Sequence, residues 1–273
     1  MMDMIREDIG LMDLTTVGLG IGHLDAKITF APKRPVVLCG AEIVETMCKE
    51  MHLSVKRFCK SGDFVEANTL ILEAYGSAAQ VHQVWKVCQN ILEYLCGIAT
   101  KTSEMLTQAR LYNPHIELLT TRKIFPRTKE LALQAVYAGG GAHHRLGLYD
   151  SILVFKQHRV FFDDKASFEA QFRKMKQQFL EKKIVVEVEN ADEALYFARL
   201  GADILQCEKM TPEEFSACVA SVRREVPSVF FSATGGVNEK NIGEYAQAGA
   251  DCIVTSSPYH AKPADIRVII EKC

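Results

Sequence analysis

The sequence predicts an α/β protein: an irregular TIM-like α/β barrel over residues 113–273, preceded by an N-terminal α+β lobe over residues 1–112 that ends in a long helix. Three observations lead there. From about residue 115, apolar runs of strand length alternate with segments of helical periodicity, as stacked βα units require. Two helices end on the same turn into a strand, Gly201-Ala-Asp203 and Gly249-Ala-Asp251. Polar and glycine residues collect at the C-terminal ends of successive strands, where barrel enzymes build their sites. An open doubly wound sheet also fits the alternation, and this rim favours the barrel.

The strands are expected at Ile116–Thr121, Ser151–Phe155, Ile184–Glu189, Asp203–Cys207, Val229–Ala233 and Asp251–Thr255. Helices are expected at Arg127–Ala138, Ala166–Leu180, Ala191–Leu200, Pro212–Glu225 and Asn238–Ala248. Thr211-Pro212-Glu213-Glu214 supplies a cap, a proline at the first helical position and acids in the first turn. The N-terminal lobe opens with a polar turn, Glu7–Asp13. Short alternating stretches follow at Ala26–Phe30 and Val36–Cys39, then a strand at Thr69–Glu73 and a long helix from about Ala78 to Arg110. The lobe boundary is expected near Tyr112-Asn-Pro114. Gly18-Leu-Gly20-Ile-Gly22 imitates a nucleotide-binding loop, but no strand and helix flank it in the needed order, so it reads as a turn.

Composition excludes several classes. With 48% apolar and 24% charged residues and a net charge of −2, no basic face for nucleic acid is demanded. No segment reaches the ~20 apolar residues of a membrane span, and acids stand where a signal peptide would carry basic residues. The expectation is a cytoplasmic protein with no membrane insertion. Nine scattered cysteines without a C-x-x-C pair read as reduced core residues.

Four clusters converge on the expected rim. They are Arg122-Lys123; Gly139-Gly-Gly141-Ala-His143-His144-Arg145; the acids Glu187 and Glu208, with Glu189 nearby; and Thr234-Gly235-Gly236 with Ser256, Ser257 and His260. Guanidinium forks suit carboxylate and phosphate. Glycine loops expose N–H groups to phosphate, and one or two carboxylates suit Mg2+. Each feature alone also has an ordinary reading: surface charge, a flexible loop, a structural ion pair. Their joint placement points to a phosphorylated substrate with a divalent cation.

These residues are recognisable as a set. Thr121-Arg122-Lys123, Gly139-Gly-Gly-Ala-His-His-Arg145-Leu-Gly-Leu-Tyr-Asp150, Val186-Glu-Val-Glu-Asn190 and Ala233-Thr-Gly-Gly-Val237 resemble the nicotinate-nucleotide pyrophosphorylase (quinolinate phosphoribosyltransferase) family. So do Glu7-Asp8-Ile-Gly10 with Asp13 and Thr15, and Gly97-Ile-Ala-Thr100, so the resemblance runs through nearly the whole chain in order. It implies a phosphoribosyltransferase of the pentosyltransferase type that uses phosphoribosyl pyrophosphate, a heterocyclic acceptor and Mg2+. It also implies a homodimer, or a higher homo-oligomer, whose sites are completed across the interface. By the same resemblance Lys123, Glu187 and Glu208 are catalytic, with Glu187 and Glu208 at the metal and ribose. Lys86, Arg122, His143, His144, Arg145 and Phe155 would line the substrate, and Thr234, Gly235, Gly236, Ser256, Ser257 and His260 would hold the 5-phosphate.

The departures resemble the ModD branch of that family, pyrophosphorylase-like proteins associated with molybdenum transport. Phe155 stands where the family has a lysine that helps bind the quinolinate carboxylate, and Trp85-Lys86 stands for a Glu-Arg pair. His143 replaces an asparagine, Glu208 an aspartate, Ser232 a glutamate, Thr120 an aspartate, and Ile124-Phe-Pro-Arg127 the usual Thr-Thr-Pro-Gly. An apolar wall in place of a lysine leaves a dicarboxylate unpaired. The expected function is therefore phosphoribosyl transfer to a nitrogen heterocycle other than quinolinate. The alternatives are authentic nicotinate-nucleotide pyrophosphorylase (carboxylating) activity in NAD biosynthesis, and a non-catalytic ligand-binding protein linked to molybdate transport.

Overall fold

The computed structural model describes residues 2–273. The chain forms two compact units that interleave in sequence. The first comprises the residues up to Ser103, Phe125–Gly140 and Pro258–Cys273; the second comprises Glu104–Ile124 and Gly141–Ser257. Where a single boundary near residue 112 is expected from the sequence, the division instead falls inside a continuous helix, and two later segments return to the first unit.

In the first unit, α1 (Met2–Ile9) and α2 (Leu14–Gly18) precede β1 (Asp25–Pro32), β2 (Val36–Val37), α3 (Ala41–Glu50), β3 (Ser54–Arg57), β4 (Phe64–Val65), β5 (Leu72–Ser77) and α4 (Ala78–Arg110). The expected polar turn at Glu7–Asp13 is partly helical. Asp13 ends it by capping α2, accepting from the N–H groups of Thr15 and Thr16 at 3.0 and 3.1 Å. The main sheet is antiparallel, in the order Ile266–Lys272, β1, β5, β3. Ala26, Ile28 and Phe30 alternate inward along β1 and pack with Val81, Val84, Cys88 and Leu92 of α4. The strand expected at Thr69–Glu73 lies slightly later, at β5. Gly97 of α4 is a close approach: a Cβ there would stand 2.4 Å from the Lys262 carbonyl oxygen. The segment Lys129–Ala138 (α5) also belongs to this unit.

The second unit is a parallel sheet backed by helices. Its strands are β6 (Glu117–Thr120), β7 (Ala142–His143), β8 (Ile152–Val154), β9 (Ile184–Val188), β10 (Ile204–Glu208), β11 (Phe230–Thr234) and β12 (Cys252–Thr255). The helices are α6 (Lys156–Arg159), α7 (Lys165–Gln178), α8 (Ala191–Leu200), α9 (Pro212–Glu225) and α10 (Ile242–Gln247). The strand order is β7-β6-β12-β11-β10-β9-β8. This is a cyclic sequential order in which the first strand pairs the last, Val254 opposite Leu119. A doubly wound sheet would reverse its order at a switch point; a barrel does not. The barrel is incomplete, because β7 and β8 form the two sheet edges. These strands have only two and three residues, and no helix joins them. The irregular TIM-like barrel expected from the sequence is thus found, as a curled half-barrel sheet open between β7 and β8.

The repeated Gly-Ala-Asp turn has a common job. Asp203 accepts from the Ile184 N–H at 2.8 Å and returns its own N–H to the Ile184 carbonyl at 2.9 Å. Asp251 does the same with Phe231, at 2.7 and 2.9 Å, and Arg223 reaches both of its oxygens. Each aspartate thus fixes the entry of one strand against its neighbour. α9 begins in a capping box, with Glu214 N–H donating to Thr211 Oγ1 at 3.2 Å and Thr211 N–H donating to Glu214 Oε2 at 2.8 Å. Such a cap contributes about 1 kcal/mol.

Alternation along the strands separates two faces. Val186, Val188, Leu205, Cys207, Phe231, Ala233 and Ile253 join Phe197 of α8 and Phe215 and Val222 of α9 in one buried cluster. The register therefore sends Glu187, Gln206, Glu208, Ser232 and Thr234 to the opposite face.

Candidate active site

Glu187, Gln206 and Ser232 stand in register across β9, β10 and β11, and Glu208 and Thr234 form the next row. Phe155 follows Val154, which pairs Val186, and its backbone is extended, so it comes level with Glu187. Burial first, and then the negative charge of Glu208, raise the Glu187 carboxyl above its ordinary value. Glu189 adds to the rise, while a 3.3 Å hydrogen bond from Gln206 Nε2 and the charge of Lys123 oppose it. Two carboxylates are thus held together with incomplete compensation.

Glu208 closes β10 and is fitted against the glycine turn after β11. Gly235 has φ +82°, and a Cβ on it would meet Glu208 Oε1 at 2.8 Å and Lys209 Cγ at 2.6 Å. Lys209 itself takes a left-handed conformation, φ 57°, with its N–H on the Thr234 carbonyl at 2.9 Å and its Nζ 3.7 Å from Glu208. Gly236 has φ +91°, with open space where a Cβ would point. The Thr234 hydroxyl donates to the Val254 carbonyl at 2.8 Å. Its N–H neighbours in the turn, more than its hydroxyl, are therefore suited to an anion.

The cationic side comes from two loops. After β6, Thr121 Oγ1 lies 2.5 Å from Ser256 Oγ and accepts from the Lys123 N–H at 3.1 Å, which ties the Arg122-Lys123 turn to the end of β12. Both basic side chains are exposed. After β7, the His144 N–H donates to the Thr120 carbonyl at 2.9 Å, and His143 Nε2 stands 3.6 Å from Asp150. Burial, aided by the Arg145 and His143 charges and opposed by Asp150, pushes His144 down to about 4, so its imidazole is neutral near pH 7. Arg145 is half-buried; burial and then the charge of Arg122 lower its affinity for its proton, and Asp150 opposes this. Two guanidinium groups brought within mutual repulsion are a place for an anion. The Arg145 guanidinium also lies 5.6 Å from the centre of the Phe155 ring, which stacks on His158 at 5.7 Å.

The second unit therefore holds Arg122, Lys123, His143, His144, Arg145, Phe155, Glu187, Glu208, Thr234, Gly235, Gly236, Ser256 and Ser257. Ser257 Oγ is engaged with Glu239 at 3.2 Å. Lys86 and His260 belong to the first unit. There Lys86 is exposed, with its Nζ 4.5 Å over the Trp85 ring, and His260 is exposed at the end of a short helical turn. Sequence reasoning missed Gln206 and Asp150. Gln206 had a signal: a long polar side chain in the middle of an apolar strand. Asp150 had none beyond its place in a recognisable string.

Comparison with known proteins is consistent across the chain. Residues 98–269 match the family described as quinolinate phosphoribosyl transferase, C-terminal domain, and residues 13–96 match its N-terminal domain. A Pasteurella multocida protein named as a pyrophosphorylase, ModD, is 39% identical over 270 residues, covering 99% of this chain and 96% of that protein. A protein of Methanothermobacter thermautotrophicus, named for nicotinate-nucleotide pyrophosphorylase (carboxylating), is 31% identical over 275 residues, covering 98% and 96%. The fold is that of the nicotinate-nucleotide pyrophosphorylase of Francisella tularensis, at TM-score 0.87 and 24% identity over 98% of this chain and 94% of that one.

Proposed function

Because the chain belongs to the quinolinate phosphoribosyl transferase family, we propose that it moves the 5-phosphoribosyl group of phosphoribosyl pyrophosphate onto the ring nitrogen of a heterocycle other than quinolinate. It is a phosphoribosyltransferase of that family; its acceptor and the roles of its residues are the proposal. The observation that carries the acceptor reading is Phe155. It places an aromatic ring, level with Glu187 and beneath the Arg145 guanidinium, at the position where resemblance to the family implies a lysine for the quinolinate carboxylate. A dicarboxylate against that ring would lose a partner for one of its charges.

In the reaction the nitrogen lone pair forms a bond to the anomeric carbon as the bond to pyrophosphate breaks, and pyrophosphate leaves with that electron pair. Arg122, Lys123 and Arg145 hold the anionic groups, with His144 as a neutral donor or acceptor beside them. Glu187 and Glu208 face the ribosyl ring, where positive charge builds. Gly235 and Gly236, at the turn after β11, offer backbone N–H groups to the 5-phosphate, with Ser256 beside them. Mg2+ fits the pair Glu187 and Glu208, since two crowded carboxylates suffice for it, and when bound it would offset the charge on the leaving pyrophosphate.

A homodimer in which Lys86 serves the neighbouring protomer's site is supported by the exposure of Lys86. It is also supported by a run of exposed apolar side chains in the same unit: Leu11, Met12, Leu14, Val17 and Leu19. Among the described residues no helix is long and apolar enough to cross a membrane. Isothermal titration with phosphoribosyl pyrophosphate and Mg2+ tests the donor half of the reading. Micromolar binding is expected, and no binding would overturn it.

A further inference from the structure

Gln206 lies in the middle of β10, 4% exposed, between Glu187 on β9 and Ser232 on β11, itself 1% exposed. All three point to the face away from the helix-packed cluster, which would otherwise favour apolar side chains at such depth. A carboxylate facing an amide can only accept when ionised, so the Gln206 nitrogen must be the group 3.3 Å from Glu187 Oε2. That orientation commits Gln206 Oε1 to the far side. There it has no hydrogen-bond partner among the described residues. Ser232 Oγ, one strand away, makes no geometrically regular hydrogen bond either; its polar neighbour is the Cys252 thiol, whose rise on burial the Ser232 contact opposes. Adjacent parallel strands stand ~4.8 Å apart. Polar oxygens on neighbouring strands lie within the reach of one bridging water, which needs two to four polar partners.

We infer that Gln206 is a positioning residue for Glu187: its Nε2 aims the carboxylate into the site, and its Oε1 is anchored by one buried water shared with Ser232 Oγ. The inference rests on the reading that Glu187 faces the phosphoribosyl group. Gln206 touches neither donor nor acceptor; it acts by restricting the rotamers of Glu187. Removing it should then weaken ligand binding through Glu187 alone.

The experiment uses the full chain and the variant Gln206→Met, which keeps the side-chain length. Gln206→Leu replaces it if the methionine variant fails to fold. High-resolution crystal structures of the parent and the variant form the first arm. A water within hydrogen-bond reach of Gln206 Oε1 and Ser232 Oγ is expected in the parent, and a turned Glu187 carboxylate in the variant. A dry parent with Glu187 unmoved in the variant overturns the inference. This arm needs no ligand, so it decides even if phosphoribosyl pyrophosphate does not bind, an outcome that would instead sink the functional reading. The second arm titrates phosphoribosyl pyrophosphate with Mg2+ into Gln206→Met, Glu187→Gln and the double variant. A loss of about tenfold in Gln206→Met that vanishes on the Glu187→Gln background is expected. Equal losses on both backgrounds would mean that Gln206 acts independently of Glu187 and would overturn the inference.

Discussion

Gly235→Ala tests whether the turn after β11 shapes the carboxylate rim. A Cβ at this position would stand 2.6 Å from Lys209 Cγ, 2.8 Å from Glu208 Oε1 and 2.9 Å from Glu208 Cδ. The Lys209 side chain is 77% exposed and free to turn, whereas that of Glu208 is only 24% exposed and seated against the turn. The contact that displaces a group of the site is therefore the one with Glu208. The backbone at φ +82° costs an alanine about 1 kcal/mol, and the clash adds about 1–2 kcal/mol. Gly236→Ala is the internal control: φ is +91° but nothing lies within 4 Å of the added carbon, so only the backbone cost of about 1 kcal/mol applies. Thermal melts should rank the variants parent, Gly236→Ala, Gly235→Ala. Calorimetric titration with phosphoribosyl pyrophosphate and Mg2+ should show Gly235→Ala at least tenfold weaker than Gly236→Ala. Equal affinities in the two variants would refute the claim that Gly235 exists to seat Glu208.

Three further outcomes are expected. Lys123→Ala abolishes turnover while leaving the melting temperature within a degree or two, since Lys123 is exposed at the end of the sheet; loss of soluble folded protein would show the lysine to be structural. Phe155→Lys improves quinolinate affinity, read by calorimetry, because it returns a cation beside Arg145; unchanged or weaker affinity would place the discrimination elsewhere. His144 is held neutral to about pH 4 against an ordinary value near 6.5, so below pH 6.5 the unfolded chain takes up a proton that the folded one refuses. Stability is therefore lost as pH falls from 6.5 toward 4, by at most about 2 kcal/mol between pH 7 and 5. His144→Gln should flatten that part of the curve in urea titrations, and an identical slope in both proteins would contradict the assignment.

The sequence carried the parts of this fold that rest on local signals. Pro212–Glu225 and Ala191–Leu200 are read to the residue, because Thr211 and Glu214 cap one and Gly201 stops the other. Helix α3 passed unread: its first position follows Gly40, which offers no side-chain cap, and its apolar residues continue those of the preceding strand. Ile266–Lys272 passed unread because its partner β1 lies at the other end of the chain, and pairing over that distance leaves no local trace. The two-residue β7 is defined by its bond to β6, not by any propensity of Ala142-His143. Within the site, charged and glycine residues were legible because their chemistry is distinctive. Gln206 was not, because its role depends on Glu187 being its lateral neighbour, which only strand register reveals.

The proposed reaction is transfer of a phosphoribosyl group to a heterocycle that is not quinolinate. Pyrophosphate release from phosphoribosyl pyrophosphate, measured with Mg2+ and a panel of nitrogen heterocycles that includes quinolinate, tests it most directly. Release is expected to require an acceptor, to be lost in Lys123→Ala, and to be faster with some other member of the panel than with quinolinate. Release that is fastest with quinolinate and yields nicotinate mononucleotide, or no release with any acceptor, would contradict it.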